Sequence, residues 1–207
     1  ETAPTKARLS MKSMVYLSGF MFFVYGTIAI LMTFFPVYLQ GLGYDKSAVG
    51  MIMASGPVVS LLANPFWGYW SDRTQNIRRI LLIILIGNAV LIQIVFRLES
   101  YIWIYLAMIV FFLFQAPTFS QSTSLILNAI EGRPHKFGFI RSWGSLGWAV
   151  AAVTAAPFIA WVGIANLDII YSVTMLITIA ICLGLPSGAP GIRIEGGSKG
   201  GYLRIMN

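Results

Sequence analysis

NPFWGYWSDRTQNIRR, residues 64–79, closes one apolar run and opens the next. Asp72-Arg73 follows directly on Phe66-Trp67-Gly68-Tyr69-Trp70, and Arg78-Arg79 leads straight into Ile80-Leu81-Leu82-Ile83-Ile84. Tryptophan and tyrosine favour the headgroup layer, and lysine and arginine resist translocation, so two long apolar segments joined this way describe a cytoplasmic turn of a multi-span membrane protein. Arg78-Arg79 alone would serve a turn that only fixes orientation. The acidic-then-basic order after Gly68 asks for more.

Composition points the same way. The 207 residues are 57% hydrophobic and only 10% charged, with a mean hydropathy of +0.79, whereas a soluble domain keeps about a quarter of its residues charged. The net charge of +7 is no sign of nucleic acid, because the charges sit between apolar runs and line no soluble face. The single cysteine, Cys182, lies in an apolar run and carries no internal disulfide. No metal-ligand cluster and no nucleophile–base spacing supports an enzyme, and no cofactor is expected.

A bilayer core takes about 20 apolar residues per helix. Six stretches qualify: roughly Ser13–Leu39, Ser47–Trp70, Arg79–Arg97, Tyr101–Leu127, Ser142–Gly163 and Leu167–Leu185. The runs are too long and too unalternating for barrel strands. Short connections make neighbours antiparallel, so the expected fold is an all-α membrane protein, a six-helix bundle. With the amino terminus inside, only Lys46 and Arg97 of the 14 basic residues fall in outer loops, which places both termini in the cytoplasm. Residues 1–12 then form a cytoplasmic leader, of which 1–10 precede Met11 and read as an addition. Residues 13–185 form the membrane domain, and 186–207 a cytoplasmic loop that stops short of a further span. No carboxylate falls at bilayer depth: Asp45, Glu99 and Asp168 lie at the outer face, and Asp72, Glu131 and Glu195 at the inner one.

The second and fifth spans share text, Ala63-Asn64-Pro65-Phe66-Trp67-Gly68 against Ala155-Ala156-Pro157-Phe158-Ile159-Ala160. Each is the middle span of a three-span unit, and three being odd, the two units cross the membrane in opposite senses. Two inverted three-helix repeats of this kind are a known transporter plan. Prolines 36, 57, 65, 117 and 157 fall within or at the ends of spans, where neighbours or a watery cavity must satisfy the freed carbonyls.

FGFIRSWGSLGW, Phe137–Trp148, is the second specific signal. Gly144, Ser145 and Gly147 make a thin face that lets a neighbouring helix come close. Arg141, Ser145 and Trp148 share a helix face. A guanidinium fork with an indole two turns deeper suits a hydroxylated or anionic ring. The plainer alternative makes Arg141 a snorkelling anchor and Trp148 a packing residue. In the fourth span Gln115, Phe119 and Ser122 share a face. A buried amide is costly without a partner, so Gln115 either bonds a neighbouring helix or points into water. Tyr25, beside Gly26, is near the midpoint of the first span. His135 reads as a solvated loop residue with no proton role.

Gly68, Asp72-Arg73 and Arg78-Arg79 together resemble the loop between helices 2 and 3 of the major facilitator superfamily, Gly-x-x-x-Asp-Arg/Lys-x-Gly-Arg/Lys-Arg/Lys. Here Gln75 replaces the second glycine, and two extra residues precede the basic pair. The entry to the fifth helix resembles that of the lactose, nucleoside and phenylpropionate permeases, Gly-x-x-Arg-x-aromatic-Gly-x-x-Gly. Phe34-Phe35-Pro36 and Pro65-Phe66-x-Gly68-x-x-Ser71-Asp72 fit the same branch. The resemblance implies the amino-terminal half of a twelve-helix secondary transporter in the cell membrane. Its expected partners are the lipid bilayer, a small solute and a carboxy-terminal six-helix half, not nucleic acid. It implies proton-coupled movement of a sugar, nucleoside or aromatic acid, with Tyr25, Gln115, Phe119, Arg141 and Trp148 at the solute. In that pattern the arginine matching Arg141 bonds sugar hydroxyls and the tryptophan matching Trp148 stacks on the ring. Gly68, Asp72, Arg73, Arg78 and Arg79 would form the gate. Helix 3 is peripheral in the resembled fold, which makes Asn88 and Gln93 interhelical contacts. The permease places a carboxylate a few residues beyond an Ala-Pro of helix 4, where this chain has Thr118–Ser124. A self-sufficient six-helix scaffold, or a homodimer around its own cavity, is the other class of reading.

Overall fold

A computed structural model of the chain describes residues 11–130 and 135–186. Residues 1–10, 131–134 and 187–207 lie outside them, and with them most of the expected leader and of the expected final loop. Among the described residues seven helices make six spans: α1 (Met11–Gly41), α2 (Lys46–Thr74), α3 (Ile77–Val95), α4 (Tyr101–Gln115) with α5 (Pro117–Ala129) as one broken span, α6 (His135–Val162) and α7 (Leu167–Leu183). The break falls at Ala116-Pro117, where proline removes a donor from the ladder. A 3-10 turn, Ile164–Asn166, joins α6 to α7. No strand occurs among the described residues.

Local chemistry sets the ends. Asp45 caps α2 by accepting from the Ala48 amide at 3.0 Å, and Asn76 caps α3 by accepting from the Arg79 amide at 3.0 Å, each satisfying a donor that the first turn leaves open. The fifth span differs from its expected start at Ser142. α6 begins at His135, so that residue opens a helix instead of standing in a loop, and Arg141 lies inside the helix. Hydropathy marks where the membrane begins. It does not mark where a helix that projects past the membrane begins.

α1 is the hub. Leu17, Phe20, Met21, Val24, Ile28, Leu31 and Phe35 are buried along it, against α6 on one side and α7 on the other. The main pairings obey a simple exchange. The first span packs on the fifth and sixth, the fourth on the second and third, and the third on the sixth. Swapping the first three spans for the last three returns the same set. Buried polar pairs follow the swap as well: Thr27 meets Thr178 across the first and sixth spans at 3.3 Å, and Asn88 donates to Thr118 across the third and fourth at 3.3 Å. Thr27 stands to Thr118 in sequence as Asn88 to Thr178 and Pro65 to Pro157, to within two residues. Gln93 donates to the Ser172 hydroxyl at 2.6 Å, so Asn88 and Gln93 are both interhelical contacts. Such bonds contribute about 0.6 kcal/mol each on average in membrane bundles.

Candidate functional site

The site begins with a crossing. Tyr25-Gly26 of α1 meets Gly144 and Gly147 of α6. A methyl group on Gly147 would fall 2.0 Å from the Phe22 carbonyl oxygen, and one on Gly26 would sit 3.2 Å from the Gly147 carbonyl oxygen. Only hydrogen fits between the two backbones there, as in other small-residue crossings in membranes. One turn before Gly144–Gly147, the close approach brings two side chains together. The Arg141 guanidinium lies over the Tyr25 ring, 4.4 Å from its centroid. Attraction of a cation to a ring face contributes about 0.5–2 kcal/mol depending on exposure. Arg141 therefore rests against an aromatic wall.

Phe119 of α5 completes the corner, its ring edge-on to Tyr25 at 4.7 Å and 67°. Tyr25, Phe119 and Arg141, with Ser120, Thr123 and Ser124, line an open recess of about 680 Å³ between α1, α5 and α6. Among the described residues no carboxylate lines it. Rings for an apolar face, a planar fork of donors and three hydroxyls make a surface suited to a hydroxylated or anionic ring.

Three of the five sequence-chosen site residues thus converge on one recess. Gln115 lies one turn deeper than Phe119, buried, and its Oε1 has no hydrogen-bond partner. Ser122 is also buried with its hydroxyl unpartnered. Trp148 is half-buried two turns along α6 from Arg141 and packs against the main core. It stands outside the recess wall, as Gln115 does. Ser120, Thr123 and Ser124 escaped the sequence reading. Their only signal was the density of hydroxyls in Thr118–Ser124.

The charged turn between α2 and α3 is a second region. Gly68 lies on an open face, where an added Cβ would meet nothing within 4 Å. Asp72 is exposed, and its carboxylate has no ion-pair partner among the described residues. Arg73 donates to the Tyr69 hydroxyl at 3.1 Å. Arg78 donates to the Leu185 carbonyl at 2.6 Å and reaches the Leu183 carbonyl at 3.4 Å, which places a cation on the orphan acceptors at the end of α7. Arg79 is exposed on the neighbouring face.

Residues 14–190 match the MFS_1-like family. The chain belongs to that family. It is 29% identical over 177 residues to the maltose permease of Geobacillus stearothermophilus, covering 83% of this chain and 45% of the permease. It is 31% identical over 138 residues to the uncharacterized transporter YwbF of Bacillus subtilis (strain 168), covering 65% of this chain and 34% of that one. A crystal structure of the nucleoside transporter NupG superposes with a TM-score of 0.77 at 16% identity, over 91% of this chain and 48% of the other. A mutant of NupG gives 0.78 at 14%, over 94% and 51%. At such identities the likeness establishes the fold. The chain spans about half the length of these relatives, or less.

The departure of this MFS_1-like chain from the usual loop has a structural account. Gln75, where the loop pattern has its second glycine, adopts φ 51°, ψ 27° and ends α2 with its amide donating to the Ser71 carbonyl. The position needs the left-handed conformation that glycine takes freely. Gln75 holds it with a side-chain bond to the Asp72 carbonyl at 2.6 Å.

Proposed function

We propose that this chain is the amino-terminal half of a secondary transporter, with the Tyr25–Phe119–Arg141 recess as its part of the solute site. The solute is a small hydroxylated or aromatic molecule such as a sugar, a nucleoside or an aromatic acid. One observation carries the reading: a guanidinium held over an aromatic ring at the wall of a hydroxyl-lined recess. A maltose permease and a nucleoside transporter among the relatives support that solute class. Transport runs by rocking of two six-helix halves about a midplane site. The proton-binding carboxylate comes from the other half, since among the described residues Asp45, Asp72, Glu99 and Asp168 all lie at helix ends or between helices. Gly68 and Asp72, open and unpaired here, meet that half at the cytoplasmic gate, and both ends of this segment are cytoplasmic in the cell membrane. Gln115 and Trp148 form the deeper part of the site.

The test is solute affinity by calorimetry beside melting temperature, on the full-length protein. Arg141→Lys keeps the charge and loses the fork; Trp148→Leu keeps apolar bulk and loses the ring face. Each is expected to weaken binding at least ~10-fold, or ~1.4 kcal/mol; Arg141→Lys should leave the melting temperature unchanged, while Trp148→Leu, at a residue packed against the core, should lower it as well. Unchanged affinity in both removes the site from this face.

A further inference from the structure

The basic pair that opens α3 is divided between two tasks. Arg78 turns to the end of α7 and donates to backbone carbonyls. Arg79, about 100° further round the helix, lines a different place: a groove of about 390 Å³ between α2 and α3. Its other walls are Phe66, Trp67, Trp70, Ile80 and Ile83, with Thr74 near the mouth. The floor is firm. Trp67 and Ile80 are buried, and the Trp67 indole donates to the Leu113 carbonyl at 2.9 Å. The rim is open, with Phe66, Trp70 and Ile83 exposed.

We propose that this groove binds an anionic phospholipid. One acyl chain lies along Phe66, Ile80 and Ile83, and the phosphate sits against Arg79 with the Trp70 indole as a second donor. Charge complementarity selects this occupant. The groove is apolar along its length and carries a guanidinium at the end of the bundle where Arg73 and Arg78 also lie. Neither Arg79 nor the Trp70 indole has an acceptor among the described residues. An apolar slot capped by a cation and an indole matches the cross-section of a lipid at headgroup depth. A partner helix would fill the slot but leave the guanidinium to water. The Thr74 hydroxyl is already committed, donating to the Trp70 carbonyl at 2.9 Å.

The site is separate from the recess and does not depend on the solute. Its test uses the full-length protein in mild detergent, with phosphatidylglycerol or phosphatidylcholine added back, and measures retained lipid by native mass spectrometry and the melting temperature. Wild type is expected to retain phosphatidylglycerol in preference and to melt higher with it. Arg79→Gln should bind it about five-fold more weakly, the equivalent of ~1 kcal/mol for one basic residue at an anionic surface. Arg73→Gln, which alters the same turn outside the groove, should keep wild-type retention, and Arg79→Lys should keep most of it. Equal retention of the two lipids by wild type overturns the proposal. So does undiminished phosphatidylglycerol binding in Arg79→Gln, or an equal loss in Arg73→Gln, which would reduce the effect to net charge.

Discussion

The crossing of α1 with α6 and that of α4 with α2 are related by the exchange of the two repeats, yet they are built differently. In the first, Gly26 and Gly147 bring backbone onto backbone. In the second, Gly56 of α2 faces the Phe112 ring, which fills the space at 3.1 Å from where a Cβ would stand. Close approach in the first brings Tyr25 under Arg141, and a recess opens beside them. The second is plugged by Phe112 and by Trp67, anchored to the Leu113 carbonyl. Pseudo-symmetry thus decides which spans meet. The size of the residue at each crossing decides whether the meeting makes a wall or a cavity.

The largest expected effect separates the two crossings. Gly147→Ala meets a backbone oxygen that moves only if a helix moves. It should cost the upper part of the ~1–3 kcal/mol typical of overpacking and abolish solute binding by parting Tyr25 from Arg141. Gly56→Ala meets only the Phe112 ring, which has to give by a few tenths of an ångström, and alanine favours a helix over glycine by ~0.8–1.0 kcal/mol, so stability and binding should stay near wild type. Melting temperature and affinity measured side by side decide it; equal losses at the two glycines would erase the distinction.

A smaller effect sharpens the comparison at the polar pairs. Thr27→Val removes the contact with Thr178 and should cost about 0.6 kcal/mol. Asn88→Leu removes the equivalent bond to Thr118, but it also removes Oδ1, buried without a partner, whose desolvation already counts against the fold. Thr118 keeps its bond to the Phe114 carbonyl at 3.3 Å. Asn88→Leu should therefore be neutral in a thermal unfolding assay. A loss larger than that of Thr27→Val would show that the third–fourth pair carries more than its twin.

The spans were legible because each apolar run is long enough to cross a bilayer, and the break at Pro117 because proline lacks a donor. Asn88 and Gln93 were legible as contacts because helix 3 is peripheral in the fold that the chain resembles. The convergence of Tyr25 with Arg141 was only half legible. Each residue stood out on its own helix, but their meeting depends on the Gly26–Gly147 approach, between helices distant in the chain. Ser120, Thr123 and Ser124 were not legible as a wall. Small hydroxyl residues in spans commonly bond their own helix, as Ser120 does to the Pro117 carbonyl at 3.0 Å, and their sequence says nothing about a recess. The left-handed Gln75 was hidden for a related reason, since glutamine carries no mark of that conformation.

The most direct test of the account asks whether solute occupies the recess. Thr123→Cys places a thiol on its wall, and Gln75→Cys places one on the exposed turn, with Cys182 buried and silent in both. In everted membrane vesicles of the full-length protein, an impermeant thiol reagent is expected to label both. Of maltose, a nucleoside and an aromatic acid offered in turn, the transported solute should slow labelling of Thr123→Cys several-fold and leave Gln75→Cys untouched. If Gln75→Cys is labelled from outside intact cells, the orientation is wrong. If a solute that the protein demonstrably transports leaves labelling of Thr123→Cys unchanged, the recess is not the solute site.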